Sequence, residues 1–165
     1  MNEPKASRPY WPDFTEIPKD PRSGLKPWSW AVERLQKSHN YWIATSRPDG
    51  RAHLMLVWGV WWEDALWFST GPNTRKAKNI AAHNHCSIGT ERADEAVILE
   101  GTPEEIKDHA LWKRLAAVYN AKYGGDVEPL LTASNGNVYR VVPQTVFAQD
   151  EHAPNFAESV TRFRF

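Results

Sequence analysis

Three cations crowd one short stretch: FSTGPNTRKAKN, residues 68–79, carries Arg75, Lys76 and Lys78. Gly71-Pro72 predicts a helix start, because proline suits the first helical position and glycine the cap before it, so the helix runs from about Pro72 to Ala82. The helix dipole disfavours basic residues in that first turn by about 0.3–1 kcal/mol each. A bound anion reverses the sign, since unpaired first-turn amides and neighbouring cations can all point at one phosphate. The alternative is a solvated helix face on which lysines happen to fall early.

Other reactive residue types compete for attention. His83, His85 and Cys86 in HNHC are competent zinc ligands, but no second His/Cys cluster stands at a spacing that would complete four, so no metal is expected. His53 is either a proton donor or a hydrogen-bonded structural residue on an apolar strand. Ser69 lacks the strained G-x-S-x-G elbow of a nucleophilic serine. TRKAK could touch RNA phosphate, and a small barrel with aromatics resembles an OB-fold superficially. Twenty basic and twenty acidic residues balance over 165 positions, which removes the global field that nucleic acid or an anionic membrane would need.

The elements that must position these groups follow from periodicity. Prolines at 4, 9, 12, 18, 21 and 27 make residues 1–28 an extended arm, expected to pack through Tyr10, Trp11 and Phe14, ahead of a single domain at 29–165. SWAVERLQKS predicts a short helix behind a Ser29 cap. YWIATS and the RPDG turn lead into RAHLMLVWGVWW, a strand apolar on both faces with Gly59 at a bend or close approach. Glu63-Asp64 turns it into ALWFST. CSIGTE and AVILEGTPEEI form a second hairpin. Asp108 caps a helix with Leu111, Leu115 and Val118 on one face, stopped by Gly124-Gly125. NVYRVVP is a closing strand and TRFRF a terminal one. Nine tryptophans imply a heavy core or a subunit contact. A single cysteine and an N-terminus without an apolar core predict a soluble, cytoplasmic protein.

In that order, YWIATSRPDGRAH, the Trp-rich strand, ALWFSTGPNTRKAKNIA and VILEGTPEEI resemble the pyridoxamine 5'-phosphate oxidase-like, FMN-binding split-barrel superfamily. More narrowly they look like its branch of flavin- and deazaflavin (F420)-dependent oxidoreductases, over roughly residues 29–123. The chain departs from the family pattern at Ala52 and Met55, where relatives often carry proline. The resemblance implies a mainly β fold with inserted helices, a split β-barrel of six or so antiparallel strands. It also implies a homodimer with the cofactor in a groove at the subunit interface. Ser69, Thr70, Arg75 and Lys76 match the phosphate positions. Leu56, Val57 and Trp58 match the segment running past the ring, and Arg162 matches a terminal basic position that approaches the cofactor, from the other subunit in one arrangement. Coenzyme F420 is slightly favoured over FMN. The implied activity is transfer of a hydride or two electrons between that cofactor and a small organic substrate, with no catalytic acid or base named. The alternative is a flavin or tetrapyrrole carrier without turnover.

Overall fold

Backbone pairing in this chain is dominated by one continuous antiparallel system, in a computed structural model that describes residues 3–11, 18–127 and 136–165. In chain order come β1 (Lys5–Ser7), α1 (Trp28–Lys37), β2 (Asn40–Ser46), β3 (Ala52–Trp62) and β4 (Ala65–Thr70). Then follow α2 (Arg75–Ala82), β5 (Cys86–Thr90), β6 (Val97–Ile106), α3 (His109–Tyr123), β7 (Asn137–Ala148), α4 (Phe156–Ser159) and β8 (Thr161–Arg164).

Strand β7 closes the barrel because it is long enough to pair twice. Its first half joins β4 while its whole length joins β6, so the ring β7-β4-β3-β2-β5-β6 returns on itself. Its last residues also carry β8, which in turn carries β1. The fold is thus a six-stranded antiparallel barrel with two added strands and few helices. A slip in register between Glu100 and Gly101 bends β6 around it. Glu63 and Asp64 both adopt positive φ, the two-residue turn that matches strand twist, as the sequence predicts.

Two apolar clusters hold the elements. The barrel interior buries Tyr41, Ile43, Phe68, Ile88, Leu99 and Phe163, plugged by Ala31 and Leu35 of α1. The second cluster lies between α3 and the outer face, where Trp112, Leu115 and Tyr119 cover Val60, Trp67 and Val138. The two-faced apolarity of β3 therefore has two causes. Val60 and Trp62 meet α3, whereas Leu54, Leu56 and Trp58 remain exposed.

Several local expectations are corrected. Helix α1 starts at Trp28, two residues earlier than a Ser29 cap would place it, with Pro27 as its cap and no side-chain capping bond. Helix α2 starts at Arg75, because Gly71–Thr74 forms a separate turn and the Thr74 hydroxyl accepts from Ala77 N. The buried face of α3 is rotated by one position: Trp112, Leu115, Ala116 and Tyr119 are buried while Leu111 and Val118 are only half-buried. The arm packs through Trp11 as expected but not through Tyr10, and polar contacts add to it. Tyr10 is 83% exposed, Trp11 packs near Phe156, and the Arg8 guanidinium donates to the carbonyls of Ala157 and Ser23. Phe14 lies outside the described residues.

Candidate functional site

The pairing registers open the barrel at one place. Strand β3 pairs with β2 from Ala52 to Trp58, but with β4 only from Gly59 to Trp62. Residues 52–58 therefore have a strand on one side only among the described residues, and the alternate amides and carbonyls facing away from β2 have no ladder to join. Backbone polar groups of this kind are strong and obligatory partners for something. Met55, which shares the inward phase of buried Val57, is 47% exposed beside this gap. The edge is the split in the barrel.

At one end of that edge, charge accumulates with a single sign. Lys76 Nζ donates to Thr70 Oγ1 at 3.0 Å, and the Thr70 and Thr74 hydroxyls lie 3.0 Å apart. Arg75 and Lys76 are the first two residues of α2, whose first-turn amides no helical carbonyl can reach. The late helix start thus sharpens the conflict with the dipole. Across the gap, Asn79 Nδ2 donates to Thr45 Oγ1 at 3.0 Å, joining α2 to β2 beside His53. Burial depresses the His53 imidazolium below its ordinary pKa, with Arg47, Lys76 and Arg75 adding to the effect. Burial also lowers Lys76. Arg47 Nε, His53 Nδ1 and Asn79 Oδ1 are buried without a hydrogen-bond partner. Asp49, in the neighbouring turn, is engaged by Arg51. Four cationic or potentially cationic side chains, two hydroxyls and orphaned polar atoms are a donor set that fits a phosphate.

The expected site residues distribute unevenly over this geometry. Thr70 and Lys76 touch, and Arg75 is exposed beside them. Ser69 alternates with Thr70 and so presents its side chain to the other face of β4. Leu56, Val57 and Trp58 lie on the unpaired edge, Val57 inward and the other two outward. Arg162 bonds Ser7 on β1 and pairs with Phe147, ten positions along β7 from Asn137, the partner of Thr70. That is roughly 30 Å along the strand, and no contact brings Arg162 to Lys76 within this barrel among the described residues. Arg47, Thr74 and Asn79 were not singled out in the sequence, although the RPDG hairpin that pairs Ser46 with Ala52 necessarily returns Arg47 to the neighbourhood of His53.

Elsewhere the reactive residues separate. Cys86 points into the core, where burial pushes its thiol up to about 12, while His83 and His85 are exposed. Among the described residues no three His, Cys, Asp or Glu side chains gather as a metal site, and no helix is long and apolar enough to cross a membrane.

This architecture has a family. The profile of the pyridoxamine 5'-phosphate oxidase family matches residues 31–150. The chain belongs to that family. Among solved structures, the conserved hypothetical protein Rv2991 from Mycobacterium tuberculosis is similar at 20% identity and TM-score 0.68, over 84% of this chain and 91% of that one. An F420 reductase is similar at 22% identity and TM-score 0.58, over 69% and 93%. HutZ, the haem storage protein from Vibrio cholerae, is similar at 18% identity and TM-score 0.63, over 73% and 95%. At these identities the likenesses bear on the fold. No match is found among proteins of curated function.

Proposed function

We propose that this chain is an oxidoreductase moving a hydride or two electrons between a bound deazaflavin or flavin and a small organic substrate. The observation that carries the reading is the unpaired edge of β3 ending in a cluster of cations and hydroxyls, a backbone-lined slot with an anion site at one end. A flavin or deazaflavin, when bound, supplies the two-electron chemistry. Lys76, Arg75, Arg47, Thr70 and Thr74 hold the phosphate, helped by the first amides of α2. The free amides and carbonyls of residues 52–58 orient the ring's polar edge, and Leu56 and Trp58 exclude water from it. The proton donor is solvent or His53, which lies on this edge and whose imidazolium burial holds below its ordinary pKa. Coenzyme F420 is preferred to FMN, on the resemblance and on one structural neighbour being an F420 reductase.

The same reading includes a homodimer in which Arg162 reaches the cofactor of the other subunit, and a cytoplasmic location. The test is the absorption spectrum of the purified protein, followed by separate titrations with FMN and with oxidised and reduced F420. Tight binding of either, with reduction of an added acceptor, is expected. Absence of binding by both overturns the proposal. A second reading is a carrier without turnover, supported by one structural neighbour's being a haem storage protein. An intense haem band on titration, without electron transfer, would favour it.

A further inference from the structure

Strand β3 changes partner between Trp58 and Gly59, and the peptide at that change is gripped by one turn of α3. Tyr119, Lys122 and Tyr123 stand at i, i+3 and i+4, the spacing that puts three side chains on one helical face. Tyr119 Oη lies 3.4 Å from the carbonyl of Trp58 and donates to that of Trp67 at 3.0 Å. Tyr123 Oη accepts from Gly59 N at 2.8 Å, and its own proton goes to the carbonyl of His39 at 2.5 Å or of Gly59 at 2.9 Å. Lys122 Nζ donates to the Gly59 carbonyl at 2.6 Å and to Tyr41 Oη at 3.2 Å. The ammonium also lies over the rings of Tyr41 and Tyr123, at 4.5 and 5.1 Å from their centroids.

The grip extends to the indole of Trp58. It stacks on Tyr123 at 4.6 Å with only 9° between planes, and Tyr119 lies behind Tyr123 at 5.7 Å. One face of the indole is thereby fixed against a ring whose hydroxyl is tied to the backbone, and half of Trp58 stays exposed. A side chain at Gly59 would be crowded here, since a Cβ would stand 3.0 Å from both the Trp67 carbonyl and the Tyr41 ring. A half-buried lysine with no carboxylate bonded to it is a costly choice for packing alone. Among the described residues the carboxylate that favours its charge is that of Glu91, which is itself taken by the amides of His39 and Asn40. Burial accordingly lowers the Lys122 ammonium to about 8.

We infer that Lys122 is a positioning residue for the cofactor slot: through the Gly59 carbonyl and the Tyr123 ring it fixes where the unpaired edge of β3 ends and which way Trp58 faces. It touches no part of the slot itself. The inference rests on the slot proposed above, and its test separates the two. Trp58 is followed by fluorine NMR of protein labelled with 5-fluorotryptophan, its line assigned with Trp58→Phe, alongside amide exchange at Gly59. Lys122→Met keeps the stem and removes the ammonium. It is expected to shift or broaden the Trp58 line and speed Gly59 exchange in the ligand-free protein, with the Trp112 and Trp28 lines unmoved.

In the same variant, affinity for FMN or F420 should fall by about tenfold, the scale set by a small misplacement of a binding edge. Lys122→Arg, which retains a cation and a donor, should restore most of both. Should Lys122→Met not fold, Tyr123→Phe, which keeps the stack but loses the Gly59 bonds, is expected to give the same Trp58 signature. A Trp58 line and Gly59 exchange rate identical to wild type in these variants overturn the inference, whether or not a cofactor binds. An altered Trp58 line in a protein that binds neither cofactor upholds the clamp and overturns the proposed slot instead.

Discussion

Lys76 and Lys78 sit two positions apart on α2 and face different clefts. Lys76 bonds Thr70 at the end of the open edge, while Lys78 lines a cleft with Asn84, Glu105 and Tyr139 on the other side of the helix. The angle of about 200° between them makes one a test and the other its control. Lys76→Ala should weaken binding of a phosphate-bearing cofactor by about ten- to a hundredfold, the worth of one charge-assisted hydrogen bond. Lys78→Ala should leave affinity within about twofold of wild type, and neither should move the ligand-free melting temperature much. Tryptophan quenching reads both titrations, and equal affinities for all three proteins would return Lys76 to a solvated helix face. The basic stretch was legible because three cations at a helix start conflict with its dipole. Arg47 and Asn79 were not, because each becomes informative only when the β2–β3 hairpin and α2 converge on Thr45.

Strands and helices were legible in kind, and less so in their ends and partners. Strands β2 to β6 and β8 lie where alternation and turn residues predict them, because pairing of this sort is specified by local chemistry, whereas β7 runs five residues past the predicted NVYRVVP, through Pro143 to Ala148. The start of α2 was missed by three residues because Gly71-Pro72 has the composition of a cap but is spent on a preceding turn, leaving Thr74 to cap. The change of partner along β3 left one local trace, Gly59, whose need for close approach was read without its cause. That cause gives a prediction. Gly59→Ala forces a methyl to within 3.0 Å of the Trp67 carbonyl and the buried Tyr41 ring, neither of which can swing aside. Overpacking of this kind costs about 1–3 kcal/mol. The urea midpoint should fall accordingly with an unchanged slope, since the same surface is exposed on unfolding. A midpoint equal to that of wild type would mean that β3 has room at its pivot, against the geometry.

At the scale of the molecule, the barrel accounts for only part of the tryptophan content. Trp67, Trp61 and Trp112 are buried, but Trp42 and Trp58, with Leu54, Leu56 and Ile98, are each 40–58% exposed. Register puts them together: Trp42 pairs with Leu56 and with Gly89, and Gly89 pairs with Ile98, so all of these point to one side. A Cβ at Gly89 would meet nothing within 4 Å, leaving a notch between Trp42 and Ile98. A contiguous apolar face rimmed by polar residues marks a contact, and its tryptophans are the residue type that anchors interfaces. On the reading proposed for the site, a second copy of this chain would cover this face and bring its Arg162, which lies ten positions along β7 from the partner of Thr70, to the phosphate site. A stable contact of standard size covers about 800 Å² on each partner. Sedimentation at micromolar concentration should therefore give a dimer, and Trp42→Lys combined with Ile98→Lys should give a folded monomer. Cofactor affinity should drop in that monomer although Lys76, Thr70 and the β3 edge are intact, because the second subunit's arginine is gone. Arg162→Ala should lower affinity without dissociating the dimer. A wild-type monomer would overturn the shared site, and a double variant that becomes monomeric yet binds cofactor as tightly as wild type would show that each barrel completes its slot alone.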